Sequence, residues 1–468
     1  LVFSSLIFIF VFLPLTIFIY YISPKSLRNL ILLLVSLVFY AWGEPLYILI
    51  MIFSTVFDYV NGLLIDKYRE RKGIARAVFI NSIVINLGIL CFFKYYGFVV
   101  DNINNIFNLS INASTLPLPV GISFYTFQTM SYAIDVYLDK VPVQKNIISF
   151  GAYVTMFPQL VAGPIVKYGD VAKQLDERKE TLDKFGEGAE LFIRGLSKKV
   201  LLANNIGLLW TTVKATPMAE LTVISAWLGI IAFTFQIYFD FSGYSDMALG
   251  LGKMFGFDLM ENFNYPYISK SVTEFWRRWH ISLGSWFREY VYIPLGGNRT
   301  GQLKQLRNLF VVWFLTGLWH GANWNFILWG LYFGFFVTIE KLFLLKWLKN
   351  RPKFIGHIYT LIIVIVGWVF FEFESLSLAM GFIGTMFGFG KHLLMDSKTL
   401  YYISTNIVLF IVLAICSTPL PRKVIVSIRE RLKMVGAIVV PPIYLILIFL
   451  STAYLVNETY NPFLYFRF

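Results

Sequence analysis

His320 stands where an ionisable side chain is costly. It closes an apolar run, residues 308–319, and is followed by Gly321-Ala-Asn-Trp324. A helical run of about 12 residues rises about 18 Å, too little to cross a hydrocarbon core of about 30 Å. If the run starts at the cytoplasmic face, it ends inside the membrane with His320 at its tip. An imidazole placed there can take up a proton near neutral pH, and an ionisable residue within a membrane is read first as functional. The other reading of the same residue is a histidine satisfied by a backbone carbonyl. His280 is the second candidate. It lies in Glu274-Phe-Trp-Arg-Arg-Trp-His-Ile-Ser-Leu-Gly-Ser-Trp-Phe-Arg-Glu-Tyr290, which mixes aromatic and charged residues. That segment is too polar to span and is expected to lie as a helix in the cytoplasmic interface, with its rings at headgroup depth. Arg277, Arg278 and Arg288, with Arg299 beyond them, either anchor the segment there or bind an anionic donor. His357 and His392 follow basic residues and read as loop or interface groups. Upstream, Tyr238-Phe-Asp-Phe-Ser-Gly-Tyr-Ser-Asp246 places Asp240, Ser245 and Asp246 at the end of an apolar run.

Other chemistries fail on spacing. Gly250-Leu-Gly252-Lys-Met-Phe-Gly256 approaches a dinucleotide fingerprint, but its last gap is one residue too long and no strand precedes it. Gly252 and Gly256 suit helix packing better. The sequence has no phosphate-binding G-x-x-x-x-G-K-[ST], no G-x-S-x-G and no H-E-x-x-H. Cys91 and Cys416, each inside an apolar run, form neither a disulfide framework nor a zinc ligand set.

The elements that must position these residues are set by composition. Of 468 residues, 57% are hydrophobic and 14% charged, against about 25% charged in soluble proteins. This excludes a disordered chain and argues for a polytopic, all-α membrane protein. The formal net charge is +13. Lys and Arg concentrate in cytoplasmic loops of membrane proteins, and no basic segment stands clear of an apolar span, so no nucleic-acid partner is expected. Apolar runs recur from residue 3 to residue 456, and several are too short to cross. We expect about eleven transmembrane helices plus re-entrant and interfacial pieces, in one integral membrane domain over residues 1–468, with the motif-rich region at about 238–325. The first run, through Tyr21, lacks a basic leader and a cleavage site and reads as a transmembrane helix.

Charge gives the orientation. The loop Asp66–Arg76 is basic and is expected inside; residues 101–114 have no Lys or Arg and are expected outside. Lys167–Lys184, Lys341–Lys353 and Arg422–Lys433 read as cytoplasmic, and the tail after Asn457 as external. Two runs, 116–138 and 146–166, fall in an interval that needs an odd number of crossings, so one of them should not cross. Both carry breakers, Leu116-Pro-Leu-Pro-Val-Gly121 and Phe157-Pro-Gln-Leu-Val-Ala-Gly-Pro164. Irregular backbone at membrane depth lines a cavity; a proline-kinked helix is the alternative.

With these residues assembled, the chain resembles the membrane-bound O-acyltransferases (MBOAT) of the alginate O-acetyltransferase branch. The resemblance rests on Val2-Phe-Ser-Ser-Leu-Ile7, Pro119–Phe127, Phe157–Ile165, Tyr238–Asp246, Asn262-Phe-Asn-Tyr-Pro-Tyr267, Phe275–Leu283, Tyr292-Ile-Pro-Leu-Gly-Gly297, Trp319-His-Gly-Ala-Asn-Trp324 and Asn461–Phe466. It covers nearly the whole chain, in order. It implies a bacterial cytoplasmic membrane location and a tunnel in which His320 is the catalytic histidine. His280 is then the second family histidine, on the cytoplasmic side. Asp240, Ser245, Asp246, Trp319 and Trp324 are then motif or tunnel residues. It further implies acetyl-CoA as donor substrate with no bound cofactor, a polysaccharide acceptor outside, and an extracytoplasmic SGNH-hydrolase-like acetyltransferase as partner. Acyl transfer to a hydroxyl needs a base for its proton, which a neutral His320 supplies, and a donor for the oxyanion, which Asn323 or a backbone N–H near Gly321 supplies. An acyl-imidazole on His320 is the competing route. The rival class is a transporter or flippase for a lipid-linked glycan, with His320 as a proton relay.

Overall fold

Apolar length decides which helices can cross. The computed structural model describes all residues except 1, 113–116, 161–162, 300, 432, 458–462 and 465–468, and only the backbone of 433–437. The expectations that fall on Leu116, Val161, Ala162 and the tail from 458 to 462 lie outside the described residues. Among the described residues the structure is helical, with one isolated bridge, Phe263 to Trp279. Eight stretches are long and apolar enough to span: 25–43, 48–67, 72–107, 223–254, 324–349, 353–372, 397–416 and 438–457. Shorter apolar helices, Phe8–Ile22 and Leu376–Met386, accompany them.

The chain packs as two units; the boundaries at 192/193 and 243/244 fall inside helices, and that at 260/261 falls between helices. The first unit contains residues 1–192, 244–260 and 460–466. Its helices are α1 (Leu13–Ile22), α2 (Arg28–Gly43), α3 (Ile48–Lys67), α4 (Lys72–Phe107), α5 (Ile122–Tyr137), α6 (Ile147–Thr155), α7 (Phe157–Leu160), α8 (Tyr168–Glu177) and most of α9 (Leu182–Ser197). A cluster of Phe3, Phe8, Phe39 and Phe157 rings packs at its core. Helix α4 continues to Phe107, so the Asn-rich stretch expected as an external loop is helical over its first seven residues, and Asn108 closes it in the left-handed conformation. Nine residues of α6 rise about 14 Å, and neither α5 nor α6 is among the stretches long and apolar enough to span. Helix α5 is buried on nearly every side and brings polar groups with it, Gln128, Thr129 and Ser131 among them. The one fully buried carboxylate of α3, Asp58, accepts hydrogen bonds from Ser82 Oγ at 2.6 Å and Asn86 Nδ2 at 2.7 Å.

The second unit contains residues 193–243 and 261–459. It holds α10 (Asn205–Ala215), the first two thirds of α11 (Val223–Met254), α12 (Val272–Arg278), α13 (Ile281–Phe287), α14 (Gln302–His320), α15 (Trp324–Ile339), α16 (Leu345–Lys349), α17 (Lys353–Glu372), α18 (Leu376–Met386), α19 (Ser397–Cys416), α20 (Leu420–Arg431) and α21 (Lys433–Asn457). A π-turn at Glu340–Leu344 joins α15 to α16, making one long span. Helices α14 and α15 cross at Gly317 and Gly330, where a Cβ would collide with the carbonyls of Phe326 and Trp313. Small residues at such a crossing let two backbones touch, the usual device where no hydrophobic effect drives helices together.

Backbone-to-backbone packing in this stretch falls two residues before the expected Gly252. Gly250 is the residue pressed against Gly188 on α9, at 2.5 Å from its carbonyl oxygen to an added Cβ, whereas Gly256 occupies a left-handed turn at φ 87°.

Candidate functional site: a re-entrant helical hairpin and two histidines

The segment around His280 does not lie flat. It is broken into two seven-residue helices, α12 and α13, and it climbs α17. At its foot, Lys270 O packs against Gly356, and the carbonyl of Ser269 accepts a hydrogen bond from His357 Nδ1 at 3.1 Å. At its top, the Trp279 ring sits 4.9 Å from that of Trp368. Gly356 and Trp368 are about 18 Å apart along a helix. The chain then descends: Lys341 Nζ stands 5.5 Å over the Tyr292 ring, and Asn308 Nδ2 donates to Leu295 O at 3.1 Å and Gly297 O at 3.2 Å. The expected interfacial helix is therefore a re-entrant hairpin. Its composition suits both arrangements, because each puts aromatic rings inward, with Arg277 and Arg278 just before the apex and Arg288 beyond it.

Local chemistry builds the hairpin. Ser271 caps α12 by accepting from Glu274 N at 3.0 Å. Glu340, with no exposed surface, accepts from Val272 N at 2.6 Å and Thr273 N at 2.7 Å. The first N–H groups of a helix lack internal partners, and here a carboxylate of the neighbouring span satisfies two of them. Trp276 packs on Trp313, Trp329 and Phe333.

His280 is the apex, in the left-handed region at φ 47°. That conformation is strained for most side chains by about 1–2 kcal/mol. The strand-like stretch before it holds it in place: Asn264 N donates to Arg278 O at 2.9 Å and Ile281 N to Asn262 O at 3.0 Å. His280 is 2% exposed, with the Phe241 ring 4.9 Å away. It lies outside the spanning helices, and burial lowers its pKa from 6.5 to about 3, so the imidazole is neutral at physiological pH.

His320 is the last residue of α14 and is 4% exposed. The rings of Trp319, Trp329 and Phe371 surround it at 5.0, 4.8 and 5.4 Å. Helix α14 is longer than the apolar run suggested, because polar Gln302–Arg307 is also helical. Its 19 residues rise about 28 Å. The loop after it is stapled to the end of α17: Asn325 Nδ2 donates to Phe373 O, and Asn323 Nδ2 to Glu374 O at 2.9 Å. His320 therefore lies at the tip of its helix, as expected, within a turn of the ends of α14 and α17, the outer ends on the positive-inside orientation.

Trp319 stands between the two imidazoles, 5.8 Å from His280 and 5.0 Å from His320. The structure thus brings together His280, Trp319 and His320 from two separate sequence motifs.

The remaining candidates are placed differently. Asn323 caps α15 through Oδ1, which accepts from Asn325 N at 3.0 Å, while its amide holds Glu374 O. These bonds make it a residue that shapes the loop, not a ready oxyanion donor. Trp324 is 55% exposed and turns outward instead of lining the cluster. Arg278 is tied to Glu274 at 2.9 Å and to Asn264 O at 3.0 Å, whereas Arg277, Arg288 and Arg299 are exposed. Asp240 lies inside the 32-residue α11, not at the end of a run, and forms a buried ion pair with Lys199. Ser245 is buried and Asp246 half-buried, both in the first unit. Sequence reasoning gave Asn262 no role beyond its motif and missed Trp329, Glu340 and Phe371. Glu340 carried a usable signal, an acidic residue interrupting an apolar stretch.

Comparison with known proteins gives this geometry a context. Residues 138–382 match the membrane-bound O-acyltransferase family, MBOAT. The chain is 40% identical to a protein of Azotobacter vinelandii named "Probable alginate O-acetylase AlgI", over 100% of both chains. It is 44% identical to the protein of the same name from Pseudomonas aeruginosa, over 88% of this chain and 81% of that one. It is 34% identical to the peptidoglycan O-acetyltransferase of Helicobacter pylori, over 83% of this chain and 80% of that one.

Proposed function

Because the chain belongs to the MBOAT family, in its alginate O-acetylase-like branch, and is a multi-pass membrane acyltransferase, we propose that it moves acetyl groups from cytoplasmic acetyl-CoA across a bacterial cytoplasmic membrane for O-acetylation of an extracytoplasmic polysaccharide. The observation that carries this reading is the column His280, Trp319, His320. Its lower station is the apex of a hairpin rooted at the cytoplasmic end of α17. Its upper station lies at the outer end of α14. CoA is too polar to cross, so its nucleotide stays on the cytoplasmic side and only the thioester end of its flexible arm reaches past the indole to His320. The names of the relatives support the acetyl group and a polysaccharide acceptor. An SGNH-hydrolase-like acetyltransferase outside the membrane is the partner that places the group on the polymer.

In this mechanism the attacking hydroxyl oxygen adds to the thioester carbonyl as His320 takes its proton. The carbon–sulfur bond then breaks, and the proton passes to the leaving thiolate. A neutral imidazole among rings is the form able to accept. Arg277, Arg288 and Arg299 are the exposed guanidiniums available to CoA phosphates, an interaction suited to bidentate contacts. Replacing these three by Gln is expected to raise the KM for acetyl-CoA severalfold with a smaller change in kcat. A fall in kcat at unchanged KM would make them membrane anchors only.

The test of the function is a proteoliposome assay with labelled acetyl-CoA on the face that exposes the basic loops and, on the other, a polysaccharide acceptor together with the SGNH-hydrolase-like partner. Base-labile label on the acceptor is the expected result. Movement of a lipid-linked glycan without acetyl transfer would establish a flippase instead.

The rings around His320 set the size of the acyl group. Trp329 and Phe371 close on the imidazole at 4.8 and 5.4 Å. Phe371→Ala is expected to raise the propionyl-to-acetyl ratio of kcat/KM by about 10-fold, since one methylene in a hydrophobic pocket is worth about 1–3 kcal/mol. An unchanged ratio would place the acyl group elsewhere.

A further inference from the structure

We infer that Asn262 is a positioning residue for His280, holding its imidazole with the proton on Nδ1 and the lone pair on Nε2. Its bearing on catalysis rests on the acyltransfer reading above; its bearing on the tautomer does not. Asn262 is 1% exposed. Its Oδ1 accepts from the backbone N–H of Ser282 at 3.2 Å and from Ser282 Oγ at 2.9 Å, and lies 3.1 Å from His280 Nδ1.

The oxygen and nitrogen of an amide side chain are ordinarily interchangeable on shape alone. Here they are not. A backbone N–H can only donate, so the amide atom facing Ser282 N is the oxygen. An amide oxygen can only accept, so His280 Nδ1 is the donor in the contact they share. In a neutral imidazole the proton is then absent from Nε2, which becomes the basic nitrogen. The lowered pKa of His280 agrees with a neutral ring.

The same residue also fixes the backbone. Asn262 O accepts from Ile281 N at 3.0 Å, directly after the left-handed apex. Asn262 therefore determines where the ring sits and which nitrogen can take a proton. This is the role an orienting group plays toward a general base, reached from a strand beside the hairpin and not from the helix that carries the histidine.

The experiment uses the full chain in lipid nanodiscs with 15N-labelled histidine. There are four histidines, and His280→Gln identifies the resonance. The wild type is expected to show a protonated Nδ1 and a bare Nε2 at neutral pH. Asn262→Leu is expected to lose that pattern and lower kcat by about 10²-fold, with the KM for acetyl-CoA nearly unchanged. Asn262→Asp keeps the accepting oxygen and the shape. It is expected to retain the Nδ1 proton, recover at least tenfold of the kcat lost by Asn262→Leu, and add a protonation of His280 at higher pH than in the wild type. A wild-type signal with its proton on Nε2 overturns the tautomer assignment. An Asn262→Leu variant with the native signal and native kcat overturns the positioning role. Full activity of His280→Gln beside a native wild-type signal overturns the link to catalysis and leaves the acyltransferase reading, tested through His320, intact.

Discussion

His320→Ala is expected to reduce acyl transfer to background while the protein inserts and folds normally. A positioned general base contributes about 10²–10⁴-fold, and no other imidazole occupies the end of α14. Truncating a ring packed against Trp319, Trp329 and Phe371 also leaves a cavity, so the loss could be read as damage to packing. His320→Gln separates the two. It fills most of the space but has no nitrogen able to take a proton. Both variants should be inactive in the proteoliposome assay at wild-type yield and thermal stability. Near-normal turnover by a well-expressed His320→Ala would remove the residue from the reaction.

The second large effect concerns stability. Lys199 lies in a π-turn, Lys198–Asn204, and its ammonium pairs with Asp240 in the interior of α11. The two side chains are 3% and 2% exposed. Removing one partner of a buried pair costs about 3–5 kcal/mol, whereas replacing both by apolar groups of similar size is often neutral. Lys199→Met is therefore expected to destabilise by that amount, and Lys199→Met with Asp240→Leu to restore most of it. Thermal unfolding in detergent measures both. Equal loss in the single and double variants would mean that the pair does not act as a unit. The motif Tyr238–Asp246 then has a structural core: Asp240 holds the helix whose Phe241 ring packs on His280.

The spans were legible because hydrophobic length is a property of sequence alone, and 48–67, 223–254 and 353–372 needed no tertiary information. The hairpin at 269–299 was not legible. Depth in the membrane is set by what a helix packs on, and only packing against Gly356, Trp368 and Trp313 raises it from the interface. The full length of the helix that ends at His320 was not legible for a related reason. An apolar run marks where lipid-like surroundings begin, while the helix begins earlier, at Gln302, where hydrogen bonding and not polarity decides. Asn323 looked like a donor for the reaction because its type allows it, but a residue two positions before a helical N–H is also well placed to cap, and that use prevails here. His280 and His320 were singled out by type and neighbourhood. Their approach to one indole follows from three helices meeting, which no local pattern encodes.

The hairpin also imposes an order on biogenesis. It is translated before α14, α15 and α17, the helices it climbs, and it is too polar to enter lipid unaided. Helix α17 is completed about 80 residues after Tyr292, which at about 5–20 residues/s takes roughly 4–16 s. During that interval the aromatic, arginine-rich segment waits at the cytoplasmic surface while its docking partners pass through the insertion machinery. The His280–Trp319–His320 column thus cannot complete its contacts before α17 is made, while α18 to α21 of the same unit are still to follow.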